Sequence, residues 1–175
     1  MRKIKGNDYI IEGDIAKIII NSKKYGRLEA IIDTKNIERC RDYTWYVNLA
    51  KSNNKFYIKS TDRNNNYKVI LLHSLLTNCP EDLDVDHRDG NTLDNRESNL
   101  RIVTTKQNME NRLGCQKNNK TSGIRGVSWH KQHLKWSVLI GHNGKRIWGG
   151  LYNNLGEAEQ KAKEMRNTYF THHTA

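Results

Sequence analysis

The chain has 175 residues and carries 30 Lys and Arg against 19 Asp and Glu, which gives a formal net charge of +11 and a pI near 9.6. This basic balance favours a polyanionic partner, nucleic acid, and argues against a small-molecule substrate. Three widely spaced cysteines predict neither a disulfide framework nor a Cys-x-x-Cys zinc site. No apolar run is long enough for a secretory leader or a membrane span, so we expect a cytoplasmic protein with no membrane partner.

The first 70 residues alternate short β-rich runs with turn clusters of Asn, Ser and Lys. The runs that predict strands are residues 16–20, 28–32, 43–47 and 56–58. From residue 69 to 76 the apolar residues no longer alternate, which predicts a short helix ending near Asn78, just before Pro80. We therefore expect a β-rich N-terminal region over residues 1–70, built on a small antiparallel sheet.

A short acidic segment, residues 81–97, interrupts the basic chain with seven acids against only two arginines. Within this segment a predicted strand ends at Asp86-His87 and runs into a turn at Asp89-Gly90, and residues 99–103 predict a returning strand. Thr104 and Gln107 then have capping-box spacing, so a helix is expected to follow at once. The sequence thus predicts a hairpin followed directly by a helix.

Phosphodiester hydrolysis needs a base that activates water and a cation that neutralises the phosphate, and this segment offers side chains for both. His87 is the candidate base, because an unperturbed pKa of about 6.5 leaves histidine largely neutral at pH 7. Asp86 and Asn108 are candidate oxygen ligands for a hard divalent cation, Mg²⁺ with Mn²⁺ as the alternative, and not for zinc. Neighbours on a regular strand point to opposite faces, so Asp86 and His87 converge only where the strand breaks.

Four residues in residues 71–112 resemble the ββα-metal motif of HNH endonucleases, in particular phage homing enzymes whose motif ends in Asn. They are Asp86, His87, Asn99 twelve residues beyond His87, and Asn108 nine residues beyond Asn99. The resemblance implies that Asp86 and Asn108 bind the metal and that His87 is the general base. It also implies that Asn99 braces the loop and orients His87, in a metal-dependent DNA endonuclease of the homing or nicking kind that is encoded by a phage.

Other polar residues could contribute to the same site. His73 either supports it or is a satisfied core histidine on a short apolar helix. Asp89, Asp94 and Asn95 resemble additional ligands, but their turn chemistry explains them. The terminal pair His172-His173 is predicted to be a tail and not a metal site.

The C-terminal part is basic and aromatic, with eight Lys or Arg and no acid from residue 112 to 148. Residues 113–121 predict a basic linker. Its lysines Lys117 and Lys120, and Arg112 just before it, either follow the DNA backbone or are solvated. Strands are expected near residues 126–129, 136–140 and 145–152, followed by a helix over residues 155–169.

Three short motifs in residues 122–175 resemble the Apetala or ethylene-response-factor type of DNA-binding domain. They are Ser-Gly-Ile-Arg-Gly-Val from residue 122, Lys-Trp-Ser-Val from residue 135, and Lys-Arg-Ile-Trp-Gly-Gly from residue 145. The resemblance implies a three-stranded antiparallel sheet, packed on a helix, that lies in the major groove. The implied DNA contacts are Arg125, Trp136, Arg146 and Trp148, with Lys135 and Lys145 as added phosphate partners.

The tryptophans of this region have two possible roles, packing against the helix or contact with DNA. Trp129 fits both equally well. Trp136 and Trp148 each stand within two positions of Lys or Arg, so we expect them on the exposed face. Ser128 stands where the plant domains commonly have Arg, so base preference does not carry over.

The sequence therefore predicts an α+β protein of three parts: a β-rich N-terminal region, an HNH ββα-metal centre, and a three-stranded antiparallel sheet packed on a C-terminal helix. The expected partner is double-stranded DNA, with no indication of oligomeric state. A non-cleaving DNA-binding regulator is the main alternative. An RNA-binding accessory protein that stacks bases on Trp is another, because basic and aromatic composition does not distinguish RNA from DNA.

Overall fold

The protein is described here by a computed structural model covering residues 6–51, 53–63, 65–110, 115 and 119–170. The predicted linker residues Arg112 and Lys117 and the predicted tail His172-His173 lie outside the described residues. The chain divides into two compact units, one ending at Thr105 and one beginning at Lys106. Across the described ranges there are eleven strands and four α-helices, which confirms a mixed α and β protein.

The first unit begins with two three-stranded antiparallel sheets, in the orders β1-β2-β3 and β4-β5-β6. The strands of the first sheet are β1 (Asp8–Glu12), β2 (Ile15–Ser22) and β3 (Gly26–Asp33). A single 3₁₀ turn, Thr34–Asn36, and helix α1 (Ile37–Arg41) connect it to the second sheet. The strands of the second sheet are β4 (Tyr46–Ala50), β5 (Lys55–Asp62) and β6 (Lys68–Leu71).

The predicted strand at residues 43–47 is wrong over its first half, because Trp45 closes the core instead of pairing in a sheet. Its side chain is buried, its indole N–H donates to the carbonyl of Cys40 at 2.9 Å, and its amide donates to Asn7 Oδ1 at 2.7 Å. Strand pairing begins only at Tyr46. An aromatic run that is typical of a strand here serves as a core anchor.

The predicted helix from residue 69 is also wrong in its first half. Residues Lys68–Leu71 form β6 and pair antiparallel with β5, in the register Lys59 to Leu71. Helix α2 (Leu72–Thr77) begins after that pairing ends, and Asn78 caps it in the left-handed conformation with φ of 51°. The end of the helix near Asn78 is as predicted. Pairing with a neighbouring strand, which the local pattern does not contain, determines where the helix starts.

Two further strands form a hairpin in the first unit, followed by a short helix. They are β7 (Asp84–His87) and β8 (Leu100–Val103), and α3 (Thr105–Glu110) follows. The hairpin shares one hydrophobic core with the sheets, because Leu100 of β8 packs in the same cluster as Ile18, Ile32 and Leu72. The acidic segment thus packs on the N-terminal sheets.

The second unit contains a three-stranded antiparallel sheet and a long helix, as predicted. The strands, in the order β11-β10-β9, are β9 (Val127–His130), β10 (Lys135–His142) and β11 (Lys145–Tyr152), and the helix is α4 (Leu155–Tyr169). Asn154 caps α4 by accepting a bond from the amide of Gly156 at 2.7 Å. Val138 and Ala162 lie in the core between sheet and helix. No helix among the described residues is long and apolar enough to cross a membrane.

Gly149 of β11 allows α4 to approach the sheet closely. A Cβ at this position would lie 2.7 Å from Val138 Cγ1 and would also collide with the sulfur of Met165. We expect Gly149→Ala to lower the free energy of unfolding of this unit by about 1–3 kcal/mol through overpacking. Gly141→Ala is the matched control, because a Cβ there meets nothing within 4 Å. Equal midpoints of urea unfolding for the two variants would contradict the close packing.

Candidate functional site

The β7–β8 hairpin sets the surroundings of Asp86 and His87. Asp86 pairs with Arg101 across the hairpin and His87 pairs with Leu100, so the two side chains leave β7 on opposite sides. Asp86 is 7% exposed and His87 is 4% exposed. β7 thus continues regularly through His87, and the break in the strand comes only after it.

Asp86 is held by a buried ion pair. Arg101 donates to Asp86 Oδ2 from Nε at 2.8 Å and from Nη2 at 2.6 Å. Charge-assisted bonds from one guanidinium fix the orientation of the carboxylate. The sequence analysis gave Arg101 no role. Its position directly opposite Asp86 follows from hairpin register, which is the signal that could have identified it.

His87 lies beside Asn95, which the sequence analysis had assigned to turn chemistry. Asn95 Nδ2 donates to the carbonyl of Leu93 at 3.1 Å, so its Oδ1 faces His87 Nε2 at 3.4 Å. An amide oxygen accepts hydrogen bonds, so this contact favours the tautomer with hydrogen on Nε2. Burial lowers the pKa of His87, while the bond to Asn95 and the nearby Asp86 oppose the shift. The imidazole is therefore neutral at pH 7.

Asn99 connects the two ends of the loop between β7 and β8. Its Nδ2 donates to the carbonyl of Asp94 at 2.8 Å, and its Oδ1 accepts from the amide of Asp89 at 3.1 Å. The amide of Arg88 donates to the carbonyl of Asn99 at 2.8 Å. These bonds hold the loop that contains Asn95. An effect of Asn99 on the orientation of His87 stays a prediction.

The loop is also attached to the N-terminal sheets, and its acids have local partners. The amide of Ile31 donates to the carbonyl of Leu93 at 2.8 Å, and Lys55 Nζ donates to the carbonyl of Gly90 at 2.8 Å. Asp94 pairs with Arg96, whose side chain lowers the pKa of the Asp94 carboxyl. Asp89 Oδ1 accepts a hydrogen bond from the amide of Asn91 at 2.7 Å, as turn chemistry predicts.

His73 of α2 and Tyr57 of β5 pack against His87. The rings of His73 and His87 are 5.2 Å apart and nearly perpendicular, and Tyr57 lies edge-on to both. Burial, followed by the proximity of His87, lowers the pKa of His73 to about 3. His73 is thus a buried core histidine whose neutral ring packs against the candidate base. A role in the core and a role in supporting the site are therefore compatible for this residue.

The lowered pKa of His73 makes the first unit sensitive to acid. Between pH 6.5 and about 3 the unfolded chain binds a proton that folded His73 does not. The free energy of unfolding therefore falls as the pH falls through this window, by about 1.4 kcal/mol per pH unit from this residue. His73→Leu should flatten the dependence by that amount in urea melts from pH 6 to pH 4, and an unchanged slope would contradict the burial.

Asn108 lies half-buried in α3. The residues of α3 from Lys106 onward belong to the second unit, whereas Asp86, His87 and Asn99 belong to the first. Within the described parts of the chain, no three His, Cys, Asp or Glu residues cluster in a way that could hold a metal ion. The candidate ligands are one carboxylate and one amide oxygen. Such hard oxygen donors fit Mg²⁺ completed by water and phosphate, and they lack the nitrogen and sulfur ligands typical of zinc.

The strand register of the second unit divides its side chains between two faces. The helix-facing side contains Val127, Val138 and Ile147, which pack towards α4. We call the opposite side the outer face, and its residues include Ser128, His130, Lys135, Ser137, Leu139, Arg146, Trp148 and Leu151. Trp148 is 56% exposed there. The exposed position predicted for Trp148 is therefore confirmed.

The exposed position predicted for Trp136 is wrong. Trp136 is partly buried against the core of the second unit and packs edge-on against Trp129, with ring centroids 4.9 Å apart. Its neighbour Lys135 lies on the outer face, because consecutive strand residues alternate. Lys145 pairs with His142, which places it on the side of α4 and away from the outer face. Proximity to a basic residue in the sequence did not indicate a shared face.

Arg125 contacts protein groups within the second unit. Its Nη1 donates to the carbonyl of Glu110 at 2.8 Å and its Nη2 to the carbonyl of Met109 at 3.1 Å. The guanidinium also lies over the ring of Phe170 at 5.0 Å. Arg125 therefore binds the end of α3, a role for which the sequence gave no signal.

Comparison with known proteins identifies similarity in one segment. Residues 78–110 match a family model described as HNH endonuclease. This segment is thus similar to a nuclease domain. The match spans β7, β8 and α3 and includes all four motif residues, whereas residues 122–170 lie outside it. HNH nucleases act on DNA and generally depend on a divalent metal ion.

A weaker similarity links the chain to a phage protein. Protein 3.8 of Escherichia phage T7 is 37% identical over 67 residues, which cover 38% of this chain and 54% of the relative. The chain thus spans about half the length of this curated relative. No solved structure matches the chain.

Proposed function

We propose that the protein is a metal-dependent DNA endonuclease whose cutting centre is the β7–β8 hairpin together with α3. The observation that carries the proposal is a buried, neutral His87 next to the ion-paired Asp86, within the segment similar to HNH endonucleases. The biological role that we propose is a site-specific homing endonuclease or nickase, following the resemblance of the motif to phage homing enzymes. The similarity to a T7 protein supports a phage origin. One centre per chain cuts one strand at a time.

Asp86 and Asn108 would hold the cation, Mg²⁺ or Mn²⁺, through their side-chain oxygens. When bound, the cation supplies positive charge that neutralises the phosphate as negative charge develops on it. Arg101 fixes the Asp86 carboxylate through Oδ2. The pair compensates the charge of a carboxylate that is only 7% exposed.

His87 would accept a proton from water through its imidazole, which the contact with Asn95 Oδ1 orients. The water oxygen bonds to phosphorus, the bond from phosphorus to the leaving ester oxygen breaks, and that oxygen takes up a proton from solvent. Because Asp86 and His87 leave β7 on opposite sides, both side chains would reach one phosphate only where the strand ends, after His87. Asn99 would support this geometry by holding the loop that carries Asn95.

The second unit would hold the DNA duplex with the outer face of its sheet. Arg146 and Trp148 are exposed on this face, and Lys135 lies on the same face towards the other end of β10. The face would thus combine base-reading, apolar and phosphate-binding side chains. A three-stranded sheet on a helix agrees with the resemblance to Apetala-type domains. In this proposal Trp129 and Trp136 support the sheet, and Lys145 and Arg125 do not read DNA.

The metal assignment is tested by titrating Mg²⁺ against nicking of supercoiled plasmid. Asp86→Ala should abolish metal-dependent nicking, and Asn108→Ala should raise the half-maximal Mg²⁺ concentration, because an amide oxygen is lost. Asn108→Asp should retain or improve the response, since a carboxylate is the stronger ligand. Asp82→Ala, which removes an exposed acid of the same segment, is the control. Unchanged titrations for both Asn108 variants would remove Asn108 from the site.

A further inference from the structure

We propose that Arg125 is a positioning residue that fixes α3, and with it the candidate metal ligand Asn108, to the DNA-holding sheet of the second unit. The inference rests on the proposed function, and it changes the role of Arg125 from a DNA contact to a structural connection. In this arrangement the unit that holds DNA also determines where one metal ligand stands.

The contact is made on two neighbouring main-chain carbonyls of α3. Arg125 donates one bond to the carbonyl of Met109 and one to the carbonyl of Glu110, which are the last two residues of α3. Two bonds from one planar guanidinium to adjacent carbonyls define both a position and a direction for this part of α3.

Arg125 is itself fixed within the second unit. Its guanidinium lies 5.0 Å from the ring centroid of Phe170, and its carbonyl accepts a bond from Arg166 Nη1 of α4 at 2.7 Å. The next residue, Gly126, has φ of 85° and packs closely against Ile140 of the sheet. The guanidinium therefore approaches α3 from a rigid part of the sheet-and-helix core.

A second contact joins the same helix to the same sheet. Glu110 is buried at 7% exposure, and its Oε1 lies 3.8 Å from His142 Nδ1 at the end of β10. The His142 ring in turn packs against Tyr169 and Phe170. Two contacts on one short helix restrict both its translation and its rotation, and Asn108 lies only two residues before Glu110.

This connection predicts that DNA binding and metal use can be separated by mutation. Arg146, on the outer face, should affect affinity and leave α3 unchanged. Substitution of Arg125, which binds α3, should affect the position of α3 and leave the affinity for DNA unchanged. The test compares Arg125→Ala, Arg125→Lys and Arg146→Ala in the full chain.

Three quantities are measured for each variant: DNA affinity by fluorescence anisotropy in EDTA, the Mg²⁺ concentration for half-maximal plasmid nicking, and hydrogen–deuterium exchange of the α3 amides. Arg125→Ala should leave affinity within about twofold, and should raise both the Mg²⁺ requirement and α3 exchange by about tenfold, as expected for losing charge-assisted bonds. Arg125→Lys should recover part of both, since lysine offers a charge without the planar fork. Arg146→Ala should show the opposite pattern.

Exchange of α3 does not depend on cleavage, so it tests the connection even if the wild-type chain fails to nick DNA. Unchanged α3 exchange in Arg125→Ala would overturn the positioning role. A parallel fall in affinity and nicking would overturn it as well and would restore Arg125 as a DNA contact. If Arg125→Ala does not fold, the same outcomes are read from Arg125→Lys, which keeps the charge near Phe170. A wild-type chain that binds DNA and never nicks it would refute the proposed function and with it the metal-ligand part of the inference.

Discussion

His87→Ala is expected to slow DNA nicking by about 10²- to 10⁴-fold, the range lost when a general base is removed. The affinity for DNA should change little, because the proposed DNA-holding residues lie on the outer face of the second unit. The rate is measured from the conversion of supercoiled to open-circular plasmid under single-turnover conditions, and affinity by anisotropy on the same DNA. Loss of rate without loss of affinity separates chemistry from binding.

His133→Ala is the matched control for this experiment, since it removes an exposed histidine from the turn between β9 and β10. It should nick at close to the wild-type rate. Because His87 packs against His73 and Tyr57, the thermal unfolding of His87→Ala must also be measured to show that the first unit is folded at the assay temperature. A folded His87→Ala that nicks at the wild-type rate would show that another group activates the water.

Arg146→Ala is expected to cost about 1–3 kcal/mol of DNA binding if the arginine reads a base, with preference relaxed at one position. A phosphate contact would instead weaken all sequences alike and reduce the slope of log affinity against log salt by about 0.9. Lys145→Ala is the control, because Lys145 has the same charge and the adjacent position but points to the other side of the sheet. Affinity and salt slope are measured by anisotropy over a salt series.

The two variants should therefore differ although their residues are neighbours in the sequence. Lys145→Ala should bind within about twofold of the wild type, as an isolated solvated charge would. Equal losses for Lys145→Ala and Arg146→Ala would show that DNA contact does not follow the outer face. The unit would then be held to DNA by charge alone, without the geometry proposed for the sheet.

The second unit was predicted well because its signals are local. Alternation along β9, β10 and β11 gives the strands, and Asn143-Gly144, both with positive φ, forms the tight turn between β10 and β11. In the first unit β1 and α1 were missed, and part of β6 was taken for a helix. β1 and β6 are defined by antiparallel pairing with the adjacent strands β2 and β5, as with Lys68–Leu71 on β5, and the short segments themselves do not indicate that pairing. Helix α1 has only five residues, which is too short for a helical period to be recognised.

The candidate site likewise combines residues that the sequence indicated with partners that only the fold shows. The spacing of Asp86, His87, Asn99 and Asn108 is a sequence property, and it indicated the segment that matches the HNH family. The partners of these residues depend on three-dimensional structure: Arg101 reaches Asp86 through hairpin register and Asn95 reaches His87 across a loop. Spacing therefore indicates the chemistry, while the groups that orient it have to be read from the fold.

The most direct test of the central claim is a time course of supercoiled plasmid incubated with the purified wild-type chain, with Mg²⁺ in one series and EDTA in the other. We expect open circles to accumulate with Mg²⁺ and not with EDTA, and binding to persist in both. Open circles that appear before linear product would identify a nickase. A chain that retards the plasmid in both series and leaves it supercoiled would contradict the claim, and the protein would then be a DNA-binding regulator that does not cut.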